Sequence, residues 1–190
     1  MTEAMSDLNT RPLTVDDLLR PGNPYDRGEL WDGRWVVCEP SGGPAEVVAI
    51  RIGGRLWAWV EDKGLGWVVG SNQGFVVARD PDRVLSPDAA FVSHARLPRV
   101  PTEGFIEGTP EFLVEVVSPD DREPNVVAKA ALWISHGALV AWVVCPAKKR
   151  VTILRRGRAA EIVTEGGSAD AAPALPGFEI PLERMFHHLP

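Results

Sequence analysis

The chain has 190 residues, of which 45% are hydrophobic and 24% are charged. These fractions are typical of a soluble, folded domain and exclude an intrinsically disordered protein. Twenty Lys and Arg residues stand against 26 Asp and Glu residues, so the formal net charge is −6. This charge excludes a uniformly basic coat for nucleic acids, and any contact with DNA would need a local basic patch.

The cysteines and the apolar segments indicate the compartment. Cys38 and Cys145 are far apart and form no C-x-x-C motif, which argues against a disulfide framework and against a zinc ribbon. The first ten residues, MTEAMSDLNT, contain no apolar run, and no segment reaches the roughly 18 apolar residues of a membrane-spanning helix. We therefore expect a cytoplasmic protein with no membrane segment.

The N-terminal part predicts a short helix and a hairpin. Residues 1–13 are polar and predict a flexible N-terminus, followed by a single domain over residues 14–190. Thr14 is a suitable N-cap for a short helix. In GELWDGRWVV, the pair Asp32-Gly33 separates two apolar runs, which predicts a β-hairpin.

Residues 45–63 predict a helix, because apolar side chains recur there at helical spacing. The Gly53-Gly54 pair is unfavourable inside a helix and opposes this prediction. The apolar positions on which the prediction rests are Val47, Ile50, Trp57 and Val60.

The middle and the end of the chain predict a sheet with one helical crossover. Short Val-rich runs indicate strands, and FLVEVV at 112–117 is a nearly continuous apolar run of the kind found in central, buried strands. A helix over 124–136 and a strand over 139–144 would complete a βαβ-like unit. The other expected elements are strands at 67–69, 75–78 and 85–92, a loop at 98–110, a hairpin at 151–163 and a docked tail at 175–186.

Glu115 is the most informative single residue, because it places a carboxylate in the middle of FLVEVV. Burying an unpaired charge costs several kcal/mol, about 3–5 when a partner is missing, so a stabilising group is expected nearby. Alternation along the strand places Leu113, Glu115 and Val117 on one face. A metal ion or a lysine could lie on that face; the alternative is that the strand lies at a sheet edge or that Glu115 pairs with an arginine.

Asp88 and Lys129 are weaker signals when each is taken alone. Asp88 follows Pro87 and opens the apolar run PDAAFV, yet Pro-Asp is also common in turns. Lys129 lies at the margin of the apolar stripe of the 124–136 helix, where a lysine can extend into solvent or reach inward.

The order of these residues along the chain is more specific. With Glu29, they occur in the motifs GELWDG, PDAAFV, FLVEVVSPDD, AKAALWISHG and LVAWVVCP. This series resembles the PD-(D/E)XK nuclease superfamily, and within it the Uma-two family of restriction-endonuclease-like proteins. The resemblance extends over about residues 14–186.

The resemblance implies an α/β fold: a restriction-endonuclease-like core with a mixed β-sheet flanked by helices and preceded by an N-terminal β-hairpin. It also implies Mg²⁺-dependent hydrolysis of DNA phosphodiester bonds, with Mn²⁺ as a second option. Asp88 and Glu115 would be the metal ligands, Lys129 would orient water or stabilise the transition-state charge, and Glu29 would assist them. Carboxylate oxygens are ligands that Mg²⁺ prefers. Nucleases of this fold often pair subunits to cut both strands, so a homodimer is expected.

The chain departs from the family pattern at several positions. Val117 occupies the place of the usual motif lysine, whose role Lys129 would take from the helix. The segment 41–44 stands where the family often has a histidine, and Gly28 stands where it has an aromatic residue; both changes concern contacts around the site. Cys145 and Trp133 also differ, and we expect these two to alter packing only.

A basic cluster near the C-terminus is the candidate DNA contact. The alternative is a solvated hairpin whose charges protect an edge strand. The acidic net charge also favours a second hypothesis for the whole protein, a nuclease fold without catalytic activity that serves as a binding or assembly module. The cluster consists of Lys148, Lys149, Arg150, Arg155, Arg156 and Arg158.

Overall fold

The computed structural model describes residues 11–25, 27–38 and 43–189. The helices are α1 (Val15–Leu19), α2 (Gly43–Lys63), α3 (Glu123–Ser135) and α4 (Leu182–Phe186). The strands are β1 (Gly28–Trp31), β2 (Arg34–Val37), β3 (Gly66–Gly70), β4 (Phe75–Ala78), β5 (Arg83–Leu85), β6 (Ala89–Ser93), β7 (Ile106–Glu107), β8 (Phe112–Val116), β9 (Val140–Cys145), β10 (Arg150–Arg155), β11 (Glu161–Val163), β12 (Ser168–Asp170) and β13 (Glu179–Pro181). None of these helices is both long and apolar enough to cross a membrane, as far as the described residues go.

The strands form mixed sheets flanked by helices, which confirms the expected α/β class. One sheet has six strands in the order β11-β10-β9-β8-β6-β3, and a second has five in the order β2-β1-β5-β4-β7. A small pair, β12-β13, completes the set. The pairs β8–β9 and β4–β7 are parallel, and the other pairs are antiparallel. The chain thus divides its strands between two main sheets, where the sequence predicted one.

β8 is a central strand, as its continuous apolar run predicted. It pairs with β6 on one side and with β9 on the other, and α3 forms the crossover between β8 and β9. Successive side chains alternate between two core clusters: Phe112, Val114 and Val116 pack on the α2 side, whereas Leu113 and Val117 pack on the α3 side. Glu115 therefore faces α3.

α2 is a continuous helix, but it buries a different face from the one that the sequence suggested. Its buried positions follow a 3–4 residue spacing against the large sheet: Ala45, Val48, Ile52, Leu56 and Val60. The predicted stripe shares only Val60 with this face, since Val47, Ile50 and Trp57 are 40%, 68% and 56% exposed. The helix carries two apolar stripes, and spacing alone does not reveal which one the sheet covers.

The N-terminal elements follow the sequence signals. Asp32 and Gly33 have φ values of +50° and +75°, the left-handed pair that a tight hairpin turn between β1 and β2 requires. Thr14 caps α1 in a capping box with Asp17. Leu13 is buried; the rest of the predicted flexible N-terminus up to residue 10 lies outside the described residues, as do residues 41 and 42.

The C-terminal elements also follow the prediction. β10 and β11 form the late hairpin, and the tail packs on the α2 side of the large sheet. Its buried residues are Leu175, Phe178, Ile180, Leu182, Met185 and Phe186.

Candidate functional site

The candidate site is built around the ammonium group of Lys129. Lys129 Nζ lies 2.8 Å from Glu29 Oε1 and 3.0 Å from Glu115 Oε2, and it donates to the carbonyl of Ser86 at 2.9 Å. An ammonium group has three protons to donate, so each proton has an acceptor. The Lys129 side chain is only 18% exposed. The lysine is therefore fixed in place and does not extend into solvent.

Both carboxylates of this network are buried, and each is held by an indole as well. The side chains of Glu29 and Glu115 are 7% and 5% exposed. Trp31 Nε1 donates to Glu29 Oε2 at 3.1 Å, and Trp133 Nε1 donates to Glu115 Oε1 at 2.8 Å. Each carboxylate thus binds Lys129 through one oxygen and an indole through the other.

Four elements bring these groups together. Glu29 lies on β1, Ser86 on the connection between β5 and β6, and Glu115 on β8. Lys129 and Trp133 are four residues apart on α3, so both project from one side of that helix. Both side chains therefore lie on the α3 side of β8, which is the side that Glu115 faces.

Asp88, which comes immediately before β6, forms two hydrogen bonds with the backbone of β8. Its N–H donates to the Val114 carbonyl at 3.0 Å, and its Oδ2 accepts from the Val116 N–H at 2.6 Å. These two bonds flank Glu115, and Asp88 comes one residue before the β6–β8 pair Ala89–Val114. Oδ1 of Asp88 accepts no hydrogen bond from a described residue. Asp88 therefore presents a free carboxylate oxygen next to the Lys129 network.

The acids of the site share one cation. Burial raises the pKa of Glu115 to about 8; Lys129 opposes this shift, and the charges of Asp88 and Glu29 add to it. Burial also raises the pKa of Asp88, against the hydrogen bond from Val116. For Lys129, burial alone would lower the pKa, but the two glutamates outweigh burial and raise it above its ordinary value. Lys129 is thus charged at neutral pH, and its charge opposes the upward shifts in the pKa values of Glu115 and Asp88.

The donor set fits a magnesium or manganese ion. Asp88 has its free Oδ1, and each Glu115 oxygen accepts a single hydrogen bond, which leaves lone pairs for a ligand. Mg²⁺ is commonly held by one or two carboxylates together with water and phosphate oxygens. No cluster of three or more His, Cys, Asp or Glu residues arranged for a metal occurs in the described part of the chain. A metal ion bound by Asp88 and Glu115 would therefore take its remaining ligands from water or substrate.

A cavity of about 380 Å³ opens at the carboxyl ends of β8 and β9. Its lining includes Val117, two residues after Glu115, but the four predicted site residues are not among those that line it. The lining includes Pro44, Val117, Ser118, Asp121, Cys145 and Lys148.

The basic cluster is largely engaged in contacts with the protein itself. Lys148 and Arg150 both pair with Glu123, at 2.7 Å each. Arg155 is 8% exposed and forms ion pairs of 2.6 Å with two carboxylates, those of Glu161 and Asp170. Sequence spacing does not reveal such partners. The exposed members are Lys148, Lys149, Arg156 and Arg158.

The sequence prediction named the charged residues of the network but missed their neutral partners. We expected Trp133 to affect packing only; it is fully buried, as a core residue should be, but it also donates to Glu115. Trp31 and Ser86 were not predicted at all. A signal was present, because Trp133 lies one helical turn after Lys129, and Trp31 lies two residues after Glu29 on the same face of β1.

Comparison with known proteins identifies the family. The family model of Uma2, described as putative restriction endonuclease, matches residues 15–183. The chain belongs to the Uma2 family. This match confirms the resemblance read from the motifs, and the residues of the Lys129 network all lie within the matched range.

A solved structure supports the fold of this Uma2 protein. It is a crystal structure from Anabaena variabilis ATCC 29413, described as a putative nuclease belonging to DUF820. The two structures superpose with a TM-score of 0.77 at 18% sequence identity, covering 92% of this chain and 98% of that one. No curated protein matches the sequence. Family and fold together indicate a restriction-endonuclease-like nuclease.

Proposed function

We propose that the protein is an endonuclease that hydrolyses DNA phosphodiester bonds with Mg²⁺ or Mn²⁺. The observation that carries this proposal is the largely buried Lys129, paired with Glu29 and Glu115, next to the free oxygen of Asp88. A buried lysine between carboxylates is costly to retain as a purely structural feature. It supplies what phosphodiester hydrolysis needs, a fixed positive charge beside a carboxylate metal site.

Each residue then has a distinct role. Asp88 and Glu115 would hold the metal ion, which when bound would lower the pKa of a bound water and neutralise charge on the phosphate. Lys129 orients the attacking water or stabilises the charge of the transition state. Glu29 Oε1 contacts both Lys129 Nζ and the Ser86 N–H, and Oε2 accepts a hydrogen bond from Trp31, so Glu29 assists by holding Lys129 charged and oriented.

Lys129 must free one proton to contact water or phosphate. Two of its acceptors are carboxylates and the third is the neutral carbonyl of Ser86. Hydrogen bonds to charged acceptors are roughly twice as strong as those to neutral ones. We therefore expect the bond to Ser86 to be exchanged when substrate binds.

DNA contacts and subunit pairing belong to the same proposal. Within the basic cluster, the exposed Lys149 and Arg158 remain for phosphate contacts, with Lys148 and Arg156 beside them. Pairing of two copies would place two such sites on the two strands of a duplex.

The proposal is tested by nicking of supercoiled plasmid in Mg²⁺ and in Mn²⁺. Asp88→Asn and Glu115→Gln are each expected to reduce the rate by about 100-fold or more. Glu111→Gln is the matched control: Glu111 immediately precedes the same strand, is 12% exposed and pairs with Arg96. Its rate should stay within about threefold of wild type. Absence of nicking by the folded wild type with either ion would refute the proposal and favour the inactive binding module.

A further inference from the structure

The two site tryptophans have equivalent places in the Lys129 network. Trp133 donates to the Glu115 oxygen that does not bind Lys129, and Trp31 does the same for Glu29. The series Trp31, Glu29, Lys129, Glu115, Trp133 is thus a continuous chain of side-chain hydrogen bonds and ion pairs. Each glutamate is held at both oxygens.

The indoles can fix these carboxylates because they are themselves held. Trp133 is completely buried, and its ring packs edge-on against Phe75 with centroids 5.8 Å apart. Trp31 packs against the same core cluster from the five-stranded sheet. An indole has only two rotatable bonds and a single donor, so its N–H points in one direction. A carboxylate bound at one oxygen alone would be free to rotate about its terminal bond, which has broad, roughly two-fold preferences.

We propose that Trp31 and Trp133 are positioning residues: they set the planes of Glu29 and Glu115 so that Lys129 stays between them. The inference rests on the proposed function, because the orientation matters for holding a metal ion at Glu115 and a charged lysine beside it. A phenylalanine at either position would fill the space but leave a buried carboxylate oxygen without its donor. Removing such outer partners of a metal site typically costs about 10- to 100-fold in metal affinity or activity.

The chain offers a matched control for these substitutions. Trp142 is also fully buried, donates its Nε1–H to the backbone oxygen of Asp170 at 3.0 Å and packs edge-on against Phe112. It lies in the other core cluster, on the α2 side of the large sheet. Trp142→Phe therefore removes the same atoms and the same type of contact away from the Lys129 network.

The kinetic test compares Trp133→Phe, Trp31→Phe and Trp142→Phe with wild type in plasmid nicking. We expect the first two to lower kcat by about 10- to 100-fold with KM within about twofold. Trp142→Phe should keep kcat within about twofold, although its melting temperature falls by a similar amount to that of Trp133→Phe. Equal kcat losses in Trp133→Phe and Trp142→Phe, or none in Trp133→Phe, would overturn the proposal. If Trp133→Phe does not fold, the comparison is made with Trp31→Phe, whose position is only half-buried.

A second readout does not depend on activity. The three hydrogen-bonded protons of Lys129 should exchange slowly, so its ammonium group is expected to give an NMR signal in wild type and in Trp142→Phe, and to lose it in Trp133→Phe and Trp31→Phe. A signal that persists in both site variants would overturn the positioning role, whether or not the wild type cleaves DNA. If wild type does not cleave DNA but the signal is lost only in the two site variants, the nuclease proposal is refuted and the positioning role is supported.

Discussion

Replacing Lys129 by methionine removes the one cation that two buried glutamates share. Methionine is an unbranched apolar side chain of similar length, so the variant tests charge and hydrogen bonding more than volume. Glu29 and Glu115, at 7% and 5% side-chain exposure, would each lose a bond of 3.0 Å or less. Both carboxylates would then face each other in a buried space without their cation.

The expected loss of stability is large. Breaking a buried ion pair by removing one partner costs about 3–5 kcal/mol, and here two carboxylates lose the same partner. In a domain of this size each kcal/mol lowers the melting temperature by roughly 2–4 °C, so Lys129→Met should melt about 6–20 °C below wild type near pH 8.

The loss should also depend on pH in a defined direction. The pKa of Glu115 is about 8 even with Lys129 present, because the residue is buried, and without the lysine it should rise further. Around pH 8 the folded variant then keeps a proton on Glu115 that folded wild type has begun to release, so the stability of the variant falls more steeply with rising pH than that of wild type. The deficit relative to wild type should therefore be greatest near pH 8 and smaller near pH 5.

Urea denaturation at pH 5 and pH 8 measures both quantities. Lys148→Met is the matched control, because Lys148 forms an ion pair of 2.7 Å but is 56% exposed. Exposed pairs contribute about 0–1 kcal/mol, and the control should lose no more than that. If Lys129→Met lost less than about 1 kcal/mol at pH 8, or lost more at pH 5 than at pH 8, the account of a buried, charged network would be refuted.

Three further changes test other parts of the fold. Asp17→Asn should lose about 1–2 kcal/mol at pH 7, because a hydrogen bond from its arginine partner and the Thr14 cap hold the pKa of Asp17 below its usual range. That loss should shrink as pH falls below about 4, because the unfolded chain then takes up a proton that folded Asp17 still resists; denaturation at pH 7 and pH 3 checks this, exposed Asp16→Asn is the control, and equal losses at both pH values would contradict it. Gly54→Ala should gain about 0.5–1 kcal/mol, since an added Cβ meets no atom within 4 Å, and thermal melting that shows a loss would contradict this. Arg155→Met should lose about 3 kcal/mol with unchanged salt dependence of DNA binding, and a reduced salt slope would show that this arginine contacts phosphate.

The sequence predicted those elements in which the local pattern and the tertiary environment agree. The Asp32-Gly33 turn depends on backbone conformation that few residue pairs adopt, and the structure has it. FLVEVV is apolar on both faces, and β8 is buried on both faces. The face of α2 was wrong because the helix has two apolar stripes, and only the position of the sheet decides between them.

The charged members of the site could be predicted, whereas its neutral members could not. Glu115 is conspicuous because a carboxylate inside an apolar strand is costly, and this cost holds in any fold. The Ser86 carbonyl is a backbone group and leaves no trace in the sequence. Trp133 looks like any other core tryptophan until the helix is placed over β8. The same limit applies to Arg155. Its basic neighbours suggested a DNA-binding surface, but it is paired with two carboxylates that are 6 and 15 residues away along the chain.

Calorimetric titration with Mg²⁺ and with Mn²⁺ tests the central claim, that Asp88 and Glu115 form a metal site beside Lys129. The account predicts that folded wild type binds at least one of the two ions, that Asp88→Asn and Glu115→Ala abolish binding, and that Glu111→Gln binds as wild type does. Folded wild type that takes up neither ion, or variants that bind as tightly as wild type, would contradict it.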